Sequence, residues 1–341
     1  MPKISVVVVC YNEEKNIAEC LESLVNQSYP QDSYEVIVVD GKSEDSTREI
    51  VARYVEKYDF IRLIVEPKRY TAMTRNRGLL SAKYDYVAYT DADCVVPEGW
   101  LEVMAEGFLK NKEIDPDIVG IGGSNFAPPG SGSFTQAVQI ALDTFIGSFG
   151  SVTGKSYSEP RYVTDLPTLN VLYEKEVLKK IGIFDESLRH EGEDADLNFR
   201  LRKAGFKLLY IPESYVFHRY RATPGKWWKN MYRYGRARAR LMIRDPSMVN
   251  VLYIAPIAFV LIMMATFFSF LTPFFLVPLA YFPIILIMSS VACFKKKRVR
   301  LIFQVMLAYL LTHFGYGLGQ ISVLTKTLFG WKTSRAGGPN R

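Results

Sequence analysis

From Val251 to Phe294 the chain runs 44 residues without a charged side chain, and Leu301 to Thr325 adds another 25. A bilayer crossing takes about 20 apolar residues. The first run is therefore long enough for two spans, broken near Leu271-Thr272-Pro273, and the second for a third that either spans or lies partly in the interface. Core helices of water-soluble domains are seldom this long and uncharged, so the expectation is an integral membrane protein with a soluble N-terminal domain. Ile4 to Cys10 is too short an apolar run for a secretory signal and leads into a polar turn, so that domain should stay where it is made. The net charge of +7 is placed unevenly. Between Arg200 and Asn250 there are 13 Lys/Arg against two acidic residues, and Lys295-Lys296-Lys297-Arg298-Val299-Arg300 separates the second and third apolar runs. By the positive-inside rule both clusters lie in the cytoplasm, which predicts a multi-pass protein of the cell membrane with a cytoplasmic N-terminal domain. The clusters can also meet anionic headgroups; their place beside the spans argues against nucleic acid. The four cysteines show neither paired nor metal-ligand spacing, which suits a reducing compartment.

The N-terminal portion alternates strands and helices. Ile4 to Cys10 is a continuous β-branched run, as in a parallel strand covered on both faces. Asn16 reads as an N-cap, and Ile17, Cys20, Leu21, Leu24 and Val25 recur at helical spacing. Tyr34–Val39, Ile61–Val65 and the run ending at Thr90 read as strands, with a helix burying Ile50, Val51, Tyr54 and Val55 and another around 71–82 between them. The pattern predicts βαβ units, a mostly parallel sheet and right-handed crossovers. The loops after Cys10, Val39 and Thr90 should then share one sheet edge, the place where open α/β sheets bind ligands. That edge would carry Glu13, Asp40, Asp91 and Asp93. Carboxylates gathered there repel unless a cation or ligand hydrogen-bond donors compensate them. A D-x-D pair suits a divalent cation holding a diphosphate; its plainer reading is a cap on the helix opened by Pro97. Asp40 suits the donors of a ribose or base. Neither G-x-G-x-x-G nor G-x-x-x-x-G-K-[ST] is present, so phosphate would be neutralised by metal and Arg rather than by a glycine loop.

Four stretches in order carry a family resemblance: Val8-Val9-Cys10-Tyr11-Asn12-Glu13-Glu14, Val38-Val39-Asp40-Gly41-Lys42-Ser43-Glu44-Asp45-Ser46-Thr47, Arg75-Asn76-Arg77-Gly78 and Thr90-Asp91-Ala92-Asp93. Over roughly 4–240 the chain resembles the family 2 glycosyltransferases. The resemblance implies a GT-A fold, a Rossmann-like α/β domain, followed here by α-helical transmembrane segments. It implies an inverting transferase using a nucleotide-sugar donor and a divalent cation. Tyr11, Glu13, Asp40 and Arg69 would hold base and ribose; Asp91 would face ribose and metal, and Asp93 would ligate the metal. Gly41 departs from the pattern, which often has a second Asp, leaving Asp40 to serve that position alone.

Further along, Ile118 to Ser124 reads as a strand whose glycines either make a tight turn or let a donor sugar approach, the turn being favoured. Pro128-Pro129-Gly130-Ser131-Gly132 reads as a linker; 134–162 resembles no known segment, and its Gly and Ser content near 147–158 suggests a mobile loop serving as lid or acceptor groove. A short helix is expected at Ile181–Glu186. Glu193-Asp194-Ala195-Asp196 opens a helix with Leu197 and Leu201 inward. First-turn acids are favoured by the helix dipole, but three in four residues exceed that need. By resemblance Asp194 is the general base and Glu193 its acceptor-side neighbour. His218 is either an ordinary half-buried histidine or, by resemblance, a third metal ligand, a set that would favour Mn2+ over Mg2+. Lys226 to Arg240 is cationic and aromatic, as in an interfacial helix; related membrane transferases carry an aromatic-and-Arg motif here, which would make Arg233 and Arg236 diphosphate contacts. The full Q-x-x-R-W form is missing, which argues for transfer of one sugar. Gly315-x-x-x-Gly319 is a close-packing pattern, and His313 and Gln320 need polar partners.

These readings divide the chain into a catalytic domain (1–225), a basic aromatic segment (226–248), a two-span hairpin (249–294), a third segment (301–325) and a tail (326–341), expected to be disordered from Arg335. The expected activity moves one sugar from a UDP- or GDP-sugar to a hydroxyl of a membrane or lipid-linked glycan. The alternatives are a polyprenyl-phosphate sugar synthase and a non-catalytic nucleotide-sugar-binding scaffold.

Overall fold

Val6, Val7 and Val8 have no exposed surface, as a parallel strand covered on both faces requires. They lie in β1 (Ile4–Cys10) of a computed structural model that describes residues 1–188, 191–219 and 223–330, apart from the side chains of 274 and 275. The expected disordered tail from Arg335 falls outside those residues. The chain divides into two compact units, Met1–Pro128 with Lys155–Arg219, and Pro129–Gly154 with Tyr220–Arg341.

In the first unit β1 is followed by α1 (Ile17–Val25), β2 (Tyr34–Asp40), α2 (Thr47–Lys57), β3 (Ile61–Val65), α3 (Thr71–Ser81), β4 (Tyr86–Asp91), β5 (Cys94–Val95), α4 (Trp100–Ile114) and β6 (Ile118–Phe126). Strands β3, β2, β1 and β4 lie side by side and parallel. From β4 onward the sheet is mixed. The chain continues through α5 (Ser133–Leu142) and α6 (Phe145–Ser148) before returning as β7 (Arg161–Val163), β8 (Val171–Glu174), α7 (Lys175–Ile181), α8 (Glu193–Lys203) and β9 (Lys207–His218). The order beyond β4 is β8, β6, β9, β5, with β8 antiparallel to both β4 and β6.

Gly120, Gly122 and Gly123 make no turn: β6 runs through them to Phe126, paired with β9 across two register shifts. A Cβ on Gly122 would stand 2.3 Å from the Asn170 carbonyl oxygen, and one on Gly123 1.7 Å from that of Ser214. The glycines admit neighbouring backbone, so the expected turn gives way to strand packing. The short helix expected at Ile181–Glu186 lies earlier, as α7, and stops where Gly182 takes φ 97°, a conformation that costs glycine little. Asn16 occupies the N-cap position of α1 without a side-chain cap bond.

The second unit joins α5 and α6 to α9 (Pro224–Arg244), α10 (Val251–Ala265), α11 (Tyr281–Lys295) and α12 (Ile302–Leu328). The stretch from 133 to 148, whose structure the sequence leaves unread, is thus largely helical, and 129–154 group with the C-terminal helices. Thr144 Oγ1 meets Tyr309 OH at 2.9 Å, the Ile146 carbonyl lies 2.8 Å from His313 Nε2, and Asp143 pairs with Lys296 at 2.6 Å. Among the described residues, three segments are long and apolar enough to cross a membrane: Val251–Phe268, Leu276–Lys295 and Val299–Leu328. Only 11% of the first is buried against 44% of the third, which makes α12 the central helix of the group. Its glycines explain the close packing. Gly319 meets the Tyr232 carbonyl and Gly317 that of Pro256, while Gly235 of α9 meets the Tyr316 carbonyl. His313 Nδ1 lies 2.7 Å from Tyr281 OH, and Gln320 Nε2 donates to the Tyr253 carbonyl at 2.7 Å, while Gln320 Oε1 is buried without a partner among the described residues.

Candidate active site

Going from β1 to β2 the chain adds strands on one side; from β3 to β4 it crosses to the other side of β1. The crevice beyond the carboxyl ends of β1 and β4 is therefore the topological switch point, where such sheets take ligands. Cys10 stands opposite Asp40, and Val9 opposite Asp91. The loops after β1 and β2 are laced together. Asn12 N donates to Ser43 Oγ at 2.9 Å, Glu44 N to Asn12 Oδ1 at 2.8 Å, and Glu13 N to Thr47 Oγ1 at 2.8 Å. Asn12 and Lys42 turn these loops at positive φ (54° and 65°).

Asp40 is wholly buried. Ser43 donates to both of its oxygens, through the backbone N–H at 2.9 Å and through the hydroxyl. Its carboxylate thus shapes the loop from beneath. The Glu13 side chain accepts from Asn16 Nδ2 at 2.6 Å. Arg69 donates to Tyr11 OH and lies 4.9 Å from the centre of its ring, so these two form a ready-made platform at the crevice rim.

Asp93 Oδ2 lies 3.3 Å from His218 Nε2, and each side chain keeps about a fifth of its surface exposed. β5 brings them together by pairing Cys94 with His218 in register. Ligand atoms of Asp93, Cys94 and His218 fall within 4.8 Å of one another. Burial pushes the Cys94 thiol well up, aided by the charges of Asp93 and Asp91. The pair that fits a divalent cation is a carboxylate and an imidazole, a set suited to Mn2+-type ions. Asn125, fully buried on β6, lies 3.4 Å from His218 Nδ1 on the far side of the ring, where outer partners orient a ligating histidine. Asp91 stands outside this group, its Oδ1 3.3 Å from Arg75 Nη2. Burial raises the Asp91 carboxyl, with Arg75 pulling the other way. Neither aspartate caps α4, which begins after Gly99 without a side-chain cap.

Glu193 and Asp194 open α8, with Leu197 and Leu201 buried beneath as the periodicity predicts. Glu193 is buried and contacts Arg75 Nη1, whereas Asp194 is partly exposed and accepts from Ala195 N at 2.7 Å. Burial pushes the Glu193 carboxyl up to about 7, against the pull of the Arg75 guanidinium. The solvent-facing member of the pair is thus Asp194.

The first unit brings together Tyr11, Glu13, Asp40, Arg69, Asp91, Asp93, Glu193, Asp194 and His218. Arg233 and Arg236 lie on α9 of the second unit. Sequence reasoning missed Arg75 as the link between two carboxylates and Asn125 behind His218. For Arg75 the quoted R-N-x-G motif was the available signal; for Asn125 there was none.

The model of Glycosyl transferase family 2 matches residues 5–182, just over half the chain. A dolichyl N-acetyl-alpha-D-glucosaminyl phosphate 3-beta-D-2,3-diacetamido-2,3-dideoxy-beta-D-glucuronosyltransferase of Methanococcus voltae is 26% identical over 77% of this chain and 80% of its own length. The glycosyltransferase AglE of Haloferax volcanii is 28% identical over 72% of this chain and 76% of its own. Among solved structures, the mannosyltransferase PcManGT from Pyrobaculum calidifontis, in complex with GDP-Man and Mn2+, aligns over 93% of this chain and 87% of its own. Its TM-score is 0.58 at 20% identity, which shows a shared GT-A-type fold. With the family model spanning all four motifs, the chain belongs to glycosyl transferase family 2 and is a glycosyltransferase.

Proposed function

We propose that this protein moves a single sugar, with inversion, from a UDP- or GDP-sugar to a hydroxyl of a membrane or lipid-linked glycan, with a divalent cation bound. The observation that carries the reading is Arg75 joining Asp91, two residues before the Asp93 that faces His218, to Glu193 of the Glu193/Asp194 pair. The dolichyl-linked acceptor in the name of the Methanococcus voltae relative supports the acceptor class, and the GDP-Man and Mn2+ in the Pyrobaculum calidifontis structure support the donor and the ion.

Tyr11 and Arg69 offer a cationic aromatic face to the base, and Glu13 with the loop held by Asp40 lines the ribose side. Asp93 and His218 would hold the cation, with Asp91 facing the donor; Mn2+ or Mg2+ supplies positive charge to the diphosphate. Arg233 and Arg236 are assigned to the diphosphate on the family resemblance alone. Asp194 takes the acceptor hydroxyl proton as the new C–O bond forms and the bond to the nucleoside diphosphate breaks. A phosphate monoester acceptor needs no such base, so the Glu193/Asp194 pair favours a hydroxyl acceptor. The positive-inside rule puts the catalytic unit and Lys295–Arg300 on the cytoplasmic side, with the three apolar helices as anchor.

The test is a screen of UDP- and GDP-sugars with Mn2+, reading nucleoside diphosphate release with and without lipid-linked acceptors. Turnover of one donor that stops on chelation is the expected result. Full activity in chelator would refute the metal assignment, and consumption of no nucleotide sugar would refute the activity.

A further inference from the structure

Arg75, Asn76 and Gly78 form one device on α3. A Cβ on Gly78 would come within 2.3 Å of Val7 Cγ1, so the glycine lets α3 lie directly on β1. From that seat Asn76 reaches the segment before α8. Its Nδ2 donates to the Phe184 carbonyl at 2.8 Å, and its Oδ1 accepts from Phe184 N at 2.9 Å. Its neighbour Arg75, 5% exposed, holds Glu193 with Nη1 and Asp91 with Nη2, the latter at 3.3 Å. The face of Phe184 packs beside the guanidinium, 5.9 Å from ring centre to Cζ. One buried cation thus joins the end of β4, on the donor side, to the first residue of α8, which carries the base.

We propose that Arg75 is a positioning residue that sets the spacing between the donor-side carboxylate Asp91 and the acceptor-side pair Glu193/Asp194. The proposal rests on the reading of Asp194 as base and Asp91 as donor-facing. Only a planar fork can face two carboxylates at once. A lysine keeps the charge but offers a single point, so it cannot fix both directions. Displacement of reacting groups by about 1 Å is enough to cost roughly 100-fold in rate. Arg75 touches neither hydroxyl nor donor in this role and acts through Glu193.

The test compares Arg75→Lys, Glu193→Gln and the double variant in the full-length protein, using the nucleotide sugar that the donor screen identifies. Donor KM, kcat for transfer, and donor hydrolysis to water are measured, with thermal unfolding as a check on folding. Arg75→Lys should lower kcat for transfer by about 30- to 100-fold while donor KM stays within about threefold and hydrolysis falls less than transfer. Glu193→Gln should follow the same pattern, and the double variant should be little worse than the poorer single one, because residues acting as one unit are not additive. A purely structural role would lower stability or the active fraction and leave the transfer-to-hydrolysis ratio unchanged. That unchanged ratio, or additive losses, would overturn the proposal. If Arg75→Lys does not fold, Glu193→Gln with wild-type kcat overturns it instead. A wild-type protein that transfers no sugar would remove the transferase reading itself, an outcome distinct from an active wild type with an equally active Arg75→Lys.

Discussion

Replacing Asp194 by asparagine removes a proton acceptor and almost nothing else. The side chain is partly exposed, and its one assigned hydrogen bond, from Ala195 N, can be accepted equally by an amide oxygen. The contact between Glu193 and Arg75 is untouched, as is the pairing of Asp93 with His218. Folding stability should therefore change by less than about 0.5 kcal/mol, the usual range for surface substitutions away from special features. The rate should fall by about 10²- to 10⁴-fold, the contribution of general-base catalysis, equivalent to about 2.7–5.5 kcal/mol of barrier. The assay pairs calorimetric donor binding with product formation in detergent or reconstituted membranes. Unchanged donor affinity with transfer reduced by that factor is the expected result. Transfer near the wild-type rate would refute the base assignment and point to an acceptor that is already anionic.

Asp93→Asn and His218→Ala should each weaken Mn2+-dependent donor binding without altering the fold, and calorimetry with and without Mn2+ checks this; equal affinities would remove both from the ion's site. Asn170 accepts from Trp100 Nε1 and Ser214 Oγ and donates to the Ser124 carbonyl, all buried. Asn170→Ala should cost about 3–5 kcal/mol, since each orphaned group costs about 1–3, read as a fall in denaturant midpoint. Gly235→Ala should force α9 off α12, because its Cβ would fall 2.0 Å from the Tyr316 carbonyl oxygen; overpacking costs about 1–3 kcal/mol, visible as a lower unfolding temperature in detergent. A cysteine at position 297 should resist impermeant thiol reagents in intact cells and react once the membrane is opened; labelling from outside would reverse the topology.

The first half of the sheet was legible because each parallel strand is a continuous apolar run ending in a polar loop, so β1, β2 and β3 fall where Ile4–Cys10, Tyr34–Val39 and Ile61–Val65 suggested. Legibility fell where pairing turns mixed. β6 carries three glycines that look like a turn, and only the approach of the Asn170 and Ser214 carbonyls explains them as strand. The helices at 133–148 were missed because their apolar faces answer to α12, more than 150 residues later in the chain. In the site, the residues at strand ends were readable from pattern. The link through Arg75 was not, since Asp91 and Glu193 are 102 positions apart and no periodicity connects them.

The insertion of residues 129–154 orders the events of synthesis. The strands β1 to β6 leave the ribosome before α5 and α6, yet the later helices that α5 packs on, α11 and α12, are made last. Until α12 arrives, α5, which buries Val138, Ile140 and Leu142, lacks its main packing partner. During that interval the nascent chain must shelter them, in a bilayer surface or with a chaperone. A chain cut at residue 225 to make the catalytic unit soluble would keep that exposed surface permanently, while one in which 129–154 is replaced by a short polar loop would not.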